Sequence, residues 1–253
     1  MTKAPSDLPK KNIPRLVLSI ILMLAWVFVA IIAAQFIVGY LLIFLIGKEN
    51  LTLPVWSAVY SALSYALALL IVIFVPWKLF KKWKVTRKSL GLKSLPTWTD
   101  VGLAPVGYIV ALILSAFLTF IFSSFSWFDA GQAQDVGFSL ITNSTDRIIA
   151  FITLVAIAPI AEEIIFRGWL YGKLREKTTP VMTNILSIVI SSLLTSLLFG
   201  LVHFQWNVAI DVFCMSIVLC MLREITGTIY AGILMHMLKN GIAFYLLYVV
   251  GMV

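Results

Sequence analysis

Charge is scarce in this sequence: of 253 residues only 12% are Asp, Glu, Lys or Arg, and 61% are hydrophobic. A soluble domain carries about 25% charged residues. A chain with half that share cannot cover its surface with groups that face water, so a soluble globule is excluded and a protein of the bilayer is read in its place. Cysteine is nearly missing too. Cys214 and Cys220 lie in one apolar stretch, which excludes a disulfide framework and a zinc-finger spacing and leaves them as packing residues. With 14 Gly and 9 Pro, collagen-like and disordered classes go as well. Histidine is limited to two residues and acid to 11, so the few ionisable groups can be placed one by one.

What is present is long apolar runs. Hydropathy gives seven spans, at 16–46, 55–77, 101–125, 148–166, 185–202, 208–222 and 229–250, the lengths expected of transmembrane helices except for the short sixth. The fold class is therefore all-α, a polytopic membrane helix bundle of about seven to eight transmembrane helices. The first span is too long for a signal-peptide core and reads as a retained, tilted or interrupted helix. Three regions follow: N-terminal membrane helices over 1–125, an extracytoplasmic loop over 126–147 and a core of four spans over 148–253. Taking hydrophilic ends and loops alternately, sixteen Lys and Arg fall on one side and two on the other. That bias places the N-terminus in the cytoplasm. The run Lys78, Lys81, Lys82, Lys84, Arg87, Lys88 and Lys93, with Trp77, Phe80 and Trp83 between, looks like a nucleic-acid patch but is what an interfacial anchor uses. No nucleic-acid partner is expected. No internal repeat is evident, and transporters built from inverted repeats usually show one.

The informative residues are those that do not belong in hydrocarbon. An ionisable group at membrane depth costs at least about 2.5 kcal/mol on insertion scales, and the C-terminal half holds Glu162, Glu163, Arg167, His203, Asp211 and His236. In the fourth span Glu163 and Arg167 stand four apart and pair on one helix face, whereas Glu162 points about 100° away with no partner on its own helix. A poorly solvated, uncompensated carboxylate suits a general base at neutral pH. Pro159 frees the carbonyl of Val155 and bends the helix beside the acids. A buried Glu–Arg pair that merely fixes helix packing is the plain alternative for this motif alone. It is not alone: the fifth span ends at His203, and His236 and Asn240 share a face of the seventh. Together these groups offer a base, an imidazole that orients it and two donors for an oxyanion, the set needed to hydrolyse a peptide bond.

The ordered motifs Glu162-Glu163-x-x-x-Arg167, Phe199-x-x-x-His203 and His236-x-x-x-Asn240, with Gly168 after the arginine, resemble the CPBP (Abi) family of intramembrane proteases. That family includes the type II CAAX prenyl endopeptidases and bacteriocin-processing proteins. The resemblance covers roughly residue 146 onward; the N-terminal helices match only generically. It implies an intramembrane endopeptidase with a cavity open to the cytoplasm, Glu162 and His203 activating water, His236 and Asn240 at the oxyanion, and Glu163 and Arg167 in support. The family has been described both as metalloproteases and as metal-independent glutamate proteases. Zinc on Glu162, His203 and His236 would form a His₂Glu set, yet no His-Glu-x-x-His helix is present and Asn240 is a poor zinc ligand, so no cofactor is assigned.

The expected partner is a peptide or protein substrate, such as a membrane-associated precursor, beside the lipid bilayer itself; a prokaryotic plasma membrane is the expected location. Competing readings are a non-catalytic membrane binding or immunity protein with a protease-like cavity, which loss of a motif residue would favour, and a proton-coupled transporter, which polar residues on several helices would favour. Neither oligomeric state nor substrate is indicated. One geometric difficulty stands: counting along ideal helices, Glu162 lies roughly 22 Å from Lys177 and His236 roughly 20 Å from Arg223, but His203 lies roughly 30 Å from Thr183. On that count His203 is about two turns too deep. Gly200 and Gly232 are expected to let helices approach closely.

Overall fold

The computed structural model describes residues 13–129, 138, 141 and 143–251. They form a bundle of seven long helices without strands among the described residues: α1 Ile13–Ile46, α2 Pro54–Leu79, α3 Trp98–Phe122, α4 Ser144–Thr178, α5 Asn184–Leu201, α6 Trp206–Thr226 and α7 Tyr230–Val250. Their order reproduces the seven hydropathy spans, and six are long and apolar enough to cross a membrane. The remaining helix is α6, which the sequence shortened to 208–222. It packs against α3, α5 and α7. Its buried face mixes Val212, Met215 and Leu219 with Ser216 and Cys220.

The outer helices show the reverse pattern. Along α1 one stripe is buried, Met23, Val27, Ala30, Ala34, Val38 and Leu42, at the three-and-four spacing of a helix face, while Phe36, Tyr40 and Phe44 point outward. Apolar side chains facing away from the core are what lipid accepts. The helix is continuous over its 34 residues, so the interruption considered for this long span does not occur.

The basic segment between α2 and α3 folds back onto one end of the bundle. Trp83 meets Trp169 edge to face at 5.4 Å, and Lys173 Nζ donates to the Lys84 carbonyl at 2.7 Å. Arg223 Nη2 donates to the Ser89 carbonyl at 3.2 Å, and the Ile229 amide donates to the Gly91 carbonyl at 3.2 Å. Three basic connections thus close the same face, here called the basic end. Part of the 126–147 loop lies outside the described residues; after it α4 opens with an Asn143 side chain that accepts from the Asp146 amide.

α4 is not a plain α-helix. Six residues, Ala158–Glu163, are α-helical, and they lie between π-helical stretches Ile152–Ile157 and Ile164–Tyr171. Such widened turns concentrate at functional sites. The carbonyl freed by Pro159 shifts accordingly: in the π register the missing donor is five residues on, so Leu154 loses it, and Asn240 Nδ2 donates there at 2.9 Å.

Candidate active site

Halfway along α4 the adjacent acids part, one to each side. Glu163 turns inward, fully buried, and its Oε1 accepts from Arg167 Nη1 at 2.9 Å. The guanidinium also lies over the Phe199 ring, 4.4 Å from its centre. From α7, His236 Nδ1 approaches the same Glu163 oxygen at 3.2 Å. A carboxylate already paired with an arginine accepts, so Nδ1 carries the hydrogen and Nε2 is the nitrogen turned to Glu162, 3.7 Å from Oε2. Gly232 makes this approach practicable, because a Cβ there would come 3.0 Å from Glu163 Oε2.

Glu162 faces the other way, toward α2, with 15% of its side chain exposed. Tyr65 donates its phenolic hydrogen to Glu162 Oε1 at 2.5 Å, a short charge-assisted bond. In front of this pair a cavity of about 180 Å³ opens among α1, α2, α4 and α5. Glu162, Tyr65, Tyr60, Ser64, Gln35 and His203 supply its polar lining, and Phe166, Phe199 and Ile165 part of its apolar wall. His203 Nδ1 meets the Phe199 carbonyl at 2.7 Å; since a carbonyl only accepts, Nδ1 holds the hydrogen and Nε2 is the free nitrogen at the cavity.

The depth difficulty of His203 resolves in the register of α4 against α5. Thr178 and Ser187 share a hydrogen bond at 2.5 Å. Twelve residues on in each helix, the Phe166 and Phe199 rings meet at 4.8 Å. One further turn carries α4 to Glu162 and the chain beyond α5 to His203, at matching height. The count from Thr183 began too early, because the first turn of α5 precedes the point where the two helices meet.

Five of the six anticipated residues, Glu162, Glu163, Arg167, His203 and His236, therefore surround one locus, with the Phe199 ring 5.0 Å from the His203 ring and 6.0 Å from that of His236. Asn240 is on the same face of α7 but its amide clamps the Leu154 carbonyl, and neither it nor His236 lines the cavity. Glu162, His203 and His236 do not gather as a metal-binding group, and no cluster of three or more His, Cys, Asp or Glu able to hold a metal ion occurs among the described residues. His203 and His236 each turn Nδ1 to an acceptor, Phe199 and Glu163, and leave Nε2 unprotonated.

Reasoning from the sequence missed Tyr65 and the polar wall of α2. Tyr60, Ser61, Ser64 and Tyr65 form a polar patch in an otherwise apolar span, and that patch was the available signal. Asp211, which had no assigned role, pairs with Lys239 at 3.2 Å and accepts from Ser115 at 2.9 Å. It ties α3, α6 and α7 together.

A polytopic helical membrane protein with its acids, imidazoles and guanidinium gathered beside a small cavity is the class that fold and site define. Residues 144–242 match the family model of the Rce1-like type II CAAX prenyl endopeptidases. All three motifs fall within the matched stretch, which supports the resemblance to that protease family. Comparison with curated proteins gave no match, and comparison with solved structures gave none either.

Proposed function

We propose that the protein is an intramembrane endopeptidase whose cavity, bounded by α1, α2, α4 and α5, receives a peptide segment at membrane depth. The observation that carries this reading is the placement of Glu162: a carboxylate at a cavity wall, held by Tyr65 in front and backed by the Glu163–His236–Arg167 cluster. The family match over residues 144–242 supports protease activity in general.

In the proposed reaction a water between Glu162 and the substrate carbonyl gives its proton to Glu162 while its oxygen attacks the carbonyl carbon. The proton passes to the amide nitrogen as the C–N bond breaks, leaving a carboxylic acid and an amine, which exchange a proton to become carboxylate and ammonium. His203 offers Nε2 at the cavity and shares in activating water. Where it takes the water's proton in place of Glu162, it donates that proton from Nε2 to the developing oxyanion. His236 was expected at the oxyanion; its geometry favours a role behind Glu162, where Glu163 fixes its tautomer and its bare Nε2, 3.7 Å from the second Glu162 oxygen, can accept once that carboxylate has taken the proton of water. Asn240 is proposed to hold α4 in its widened register. Arg167 holds the Glu163 carboxylate in place, and thereby the imidazole. The basic end is proposed to face the cytoplasm, and the substrate to be a peptide or protein precursor associated with the membrane.

The test compares new peptide termini in cells carrying the wild type or Glu162→Gln, with and without a zinc chelator. The reading expects a set of termini that vanishes in the variant at unchanged protein level and persists with the chelator. Identical termini in wild type and variant would overturn the protease reading. Loss on chelation alone would overturn the metal-free mechanism.

A further inference from the structure

A second cavity, of about 590 Å³, opens at the basic end, where the last turns of α4 and α6 meet the connection between α2 and α3. Charged side chains dominate its lining: Lys88 from the connection, Arg175 and Glu176 from α4, Arg223 and Glu224 from α6. The proposed reaction uses none of them. Of the three cations only Arg175 is neutralised, its Nε donating to Glu224 Oε1 at 2.9 Å and its Nη2 to Asn184 Oδ1 at 2.7 Å. Arg223 donates from Nη1 and Nη2 to the carbonyls of Gly227 and Ser89, contacts that aim the guanidinium without compensating its charge. Among the described residues neither Arg223 nor Lys88 pairs with a carboxylate. Lys93 brings a further cation to the rim, its Nζ 3.2 Å from where a Cβ on Gly227 would stand.

Both acids already have donors, and both still reach solvent. Glu224 accepts from Arg175 and Tyr171 with 29% of its side chain exposed, and Glu176 accepts from Lys173 with 59% exposed. A carboxylate offers about four lone-pair sites, so these two can accept hydroxyls as well, while the Arg223 fork and the Lys88 ammonium suit a phosphate. The matching ligand is an anion that carries hydroxyls. Its source is indicated by the surroundings. Asn184, bonded to Arg175, opens α5, and Leu186, Val189, Leu193 and Leu197 continue from it as an exposed stripe at helix spacing. Ile225, next to Glu224, is exposed too. Apolar surface turned to lipid beside a charged cavity suits an amphiphile, with its headgroup in the cavity and its chains along α5.

We propose that the basic-end cavity binds the headgroup of an anionic phospholipid of the phosphatidylglycerol kind, with the phosphodiester on Arg223 and Lys88 and the free hydroxyls on Glu224 and Glu176. The bound lipid joins the ends of α4 and α6 to the connection between α2 and α3. This site stands independently of the protease reading. Attraction of basic segments to an anionic leaflet needs no cavity; a built site differs in its preference for hydroxyls and in its dependence on particular cations.

The experiment is a titration of the full-length protein in detergent, read by native mass spectrometry. The probes are three lipids with the same chains and one headgroup alone: phosphatidylglycerol, phosphatidylmethanol (equal charge, no hydroxyl), phosphatidylcholine and sn-glycerol 1-phosphate. Phosphatidylglycerol is expected to bind roughly tenfold more tightly than phosphatidylcholine, several-fold more tightly than phosphatidylmethanol, and more tightly than glycerol phosphate. Lys88→Gln, at an exposed position, is expected to weaken phosphatidylglycerol about fivefold. Lys82→Gln, exposed on the same connection but outside the cavity, is expected to leave its affinity unchanged. Equal affinities for phosphatidylglycerol and phosphatidylcholine, or equal losses in the two variants, would overturn the cavity site in favour of diffuse surface charge. Equal affinities for phosphatidylglycerol and phosphatidylmethanol would overturn the part given to Glu224 and Glu176, and glycerol phosphate binding as tightly as the lipid would overturn the lipid as source. Because the readout is binding, a selective site in a protein without cleavage removes only the protease reading, whereas an active protease without lipid selectivity removes only this site.

Discussion

Tyr65 and Glu162 are 97 positions apart in the sequence and 2.5 Å apart in the fold. The phenol gives Glu162 a donor that the family-matched segment does not contain. Loss of a hydrogen bond to a charged group removes about 1.5–3 kcal/mol, which is roughly a ten- to hundredfold change in rate if it is felt in the transition state. Tyr65→Phe is expected to lower kcat by up to that factor with KM unchanged, and to lower the thermal midpoint modestly, because the ring and its packing remain while the buried carboxylate loses its donor. Steady-state kinetics on a cleaved peptide, beside a melting curve, check this; a rise in KM at constant kcat would make Tyr65 a substrate contact. The Glu163–Arg167 pair was legible from spacing alone, since four residues on a helix fix a shared face. Tyr65 was not, because a tyrosine in an apolar span is ordinary packing until a carboxylate is found opposite it.

At the level of the helices, close approach is set by small residues. A Cβ on Gly200 would lie 2.9 Å from the Ala209 carbonyl oxygen, which is backbone and cannot rotate aside. Gly200→Ala is therefore expected to force α5 and α6 apart and to cost about 1–3 kcal/mol, read as a lower unfolding midpoint. Gly232→Ala meets a side chain instead, Glu163 Oε2 at 3.0 Å. It is expected to disturb the Glu163–His236 contact, and so the rate, with a smaller loss of stability; a loss as large as that of Gly200→Ala would contradict this distinction. The sequence showed that these glycines mattered and that seven helices form. It did not show the π stretches of α4, because hydropathy follows composition and is blind to a change from four to five residues per hydrogen bond. Nor did it show that the sixth span, read as short, is a helix of 21 residues. α6 tolerates Ser216 and Cys220 because neighbouring helices shield it, and that shielding is a property of the assembled bundle.

For the whole molecule, the distribution of charge and the fold agree on one axis. The loops that carry most of the basic residues close on one another through Lys173 to Lys84, Arg223 to Ser89 and Ile229 to Gly91. Hydropathy and loop charges could indicate that these segments share a side; they could not indicate that the segments touch, since each contact joins helices distant in the chain. If the positive-inside rule governs insertion, the basic end faces the cytoplasm and the turn after α3 faces out. Lys82 and Ser126 are exposed at opposite ends, while both native cysteines are buried, so a single introduced cysteine reports without background. Lys82→Cys is expected to react with a membrane-impermeant maleimide only after the cells are opened, and Ser126→Cys in intact cells. The reverse pattern would turn the bundle over and place Arg175 and Glu224 on the far side of the membrane, while the geometry around Glu162 would stand.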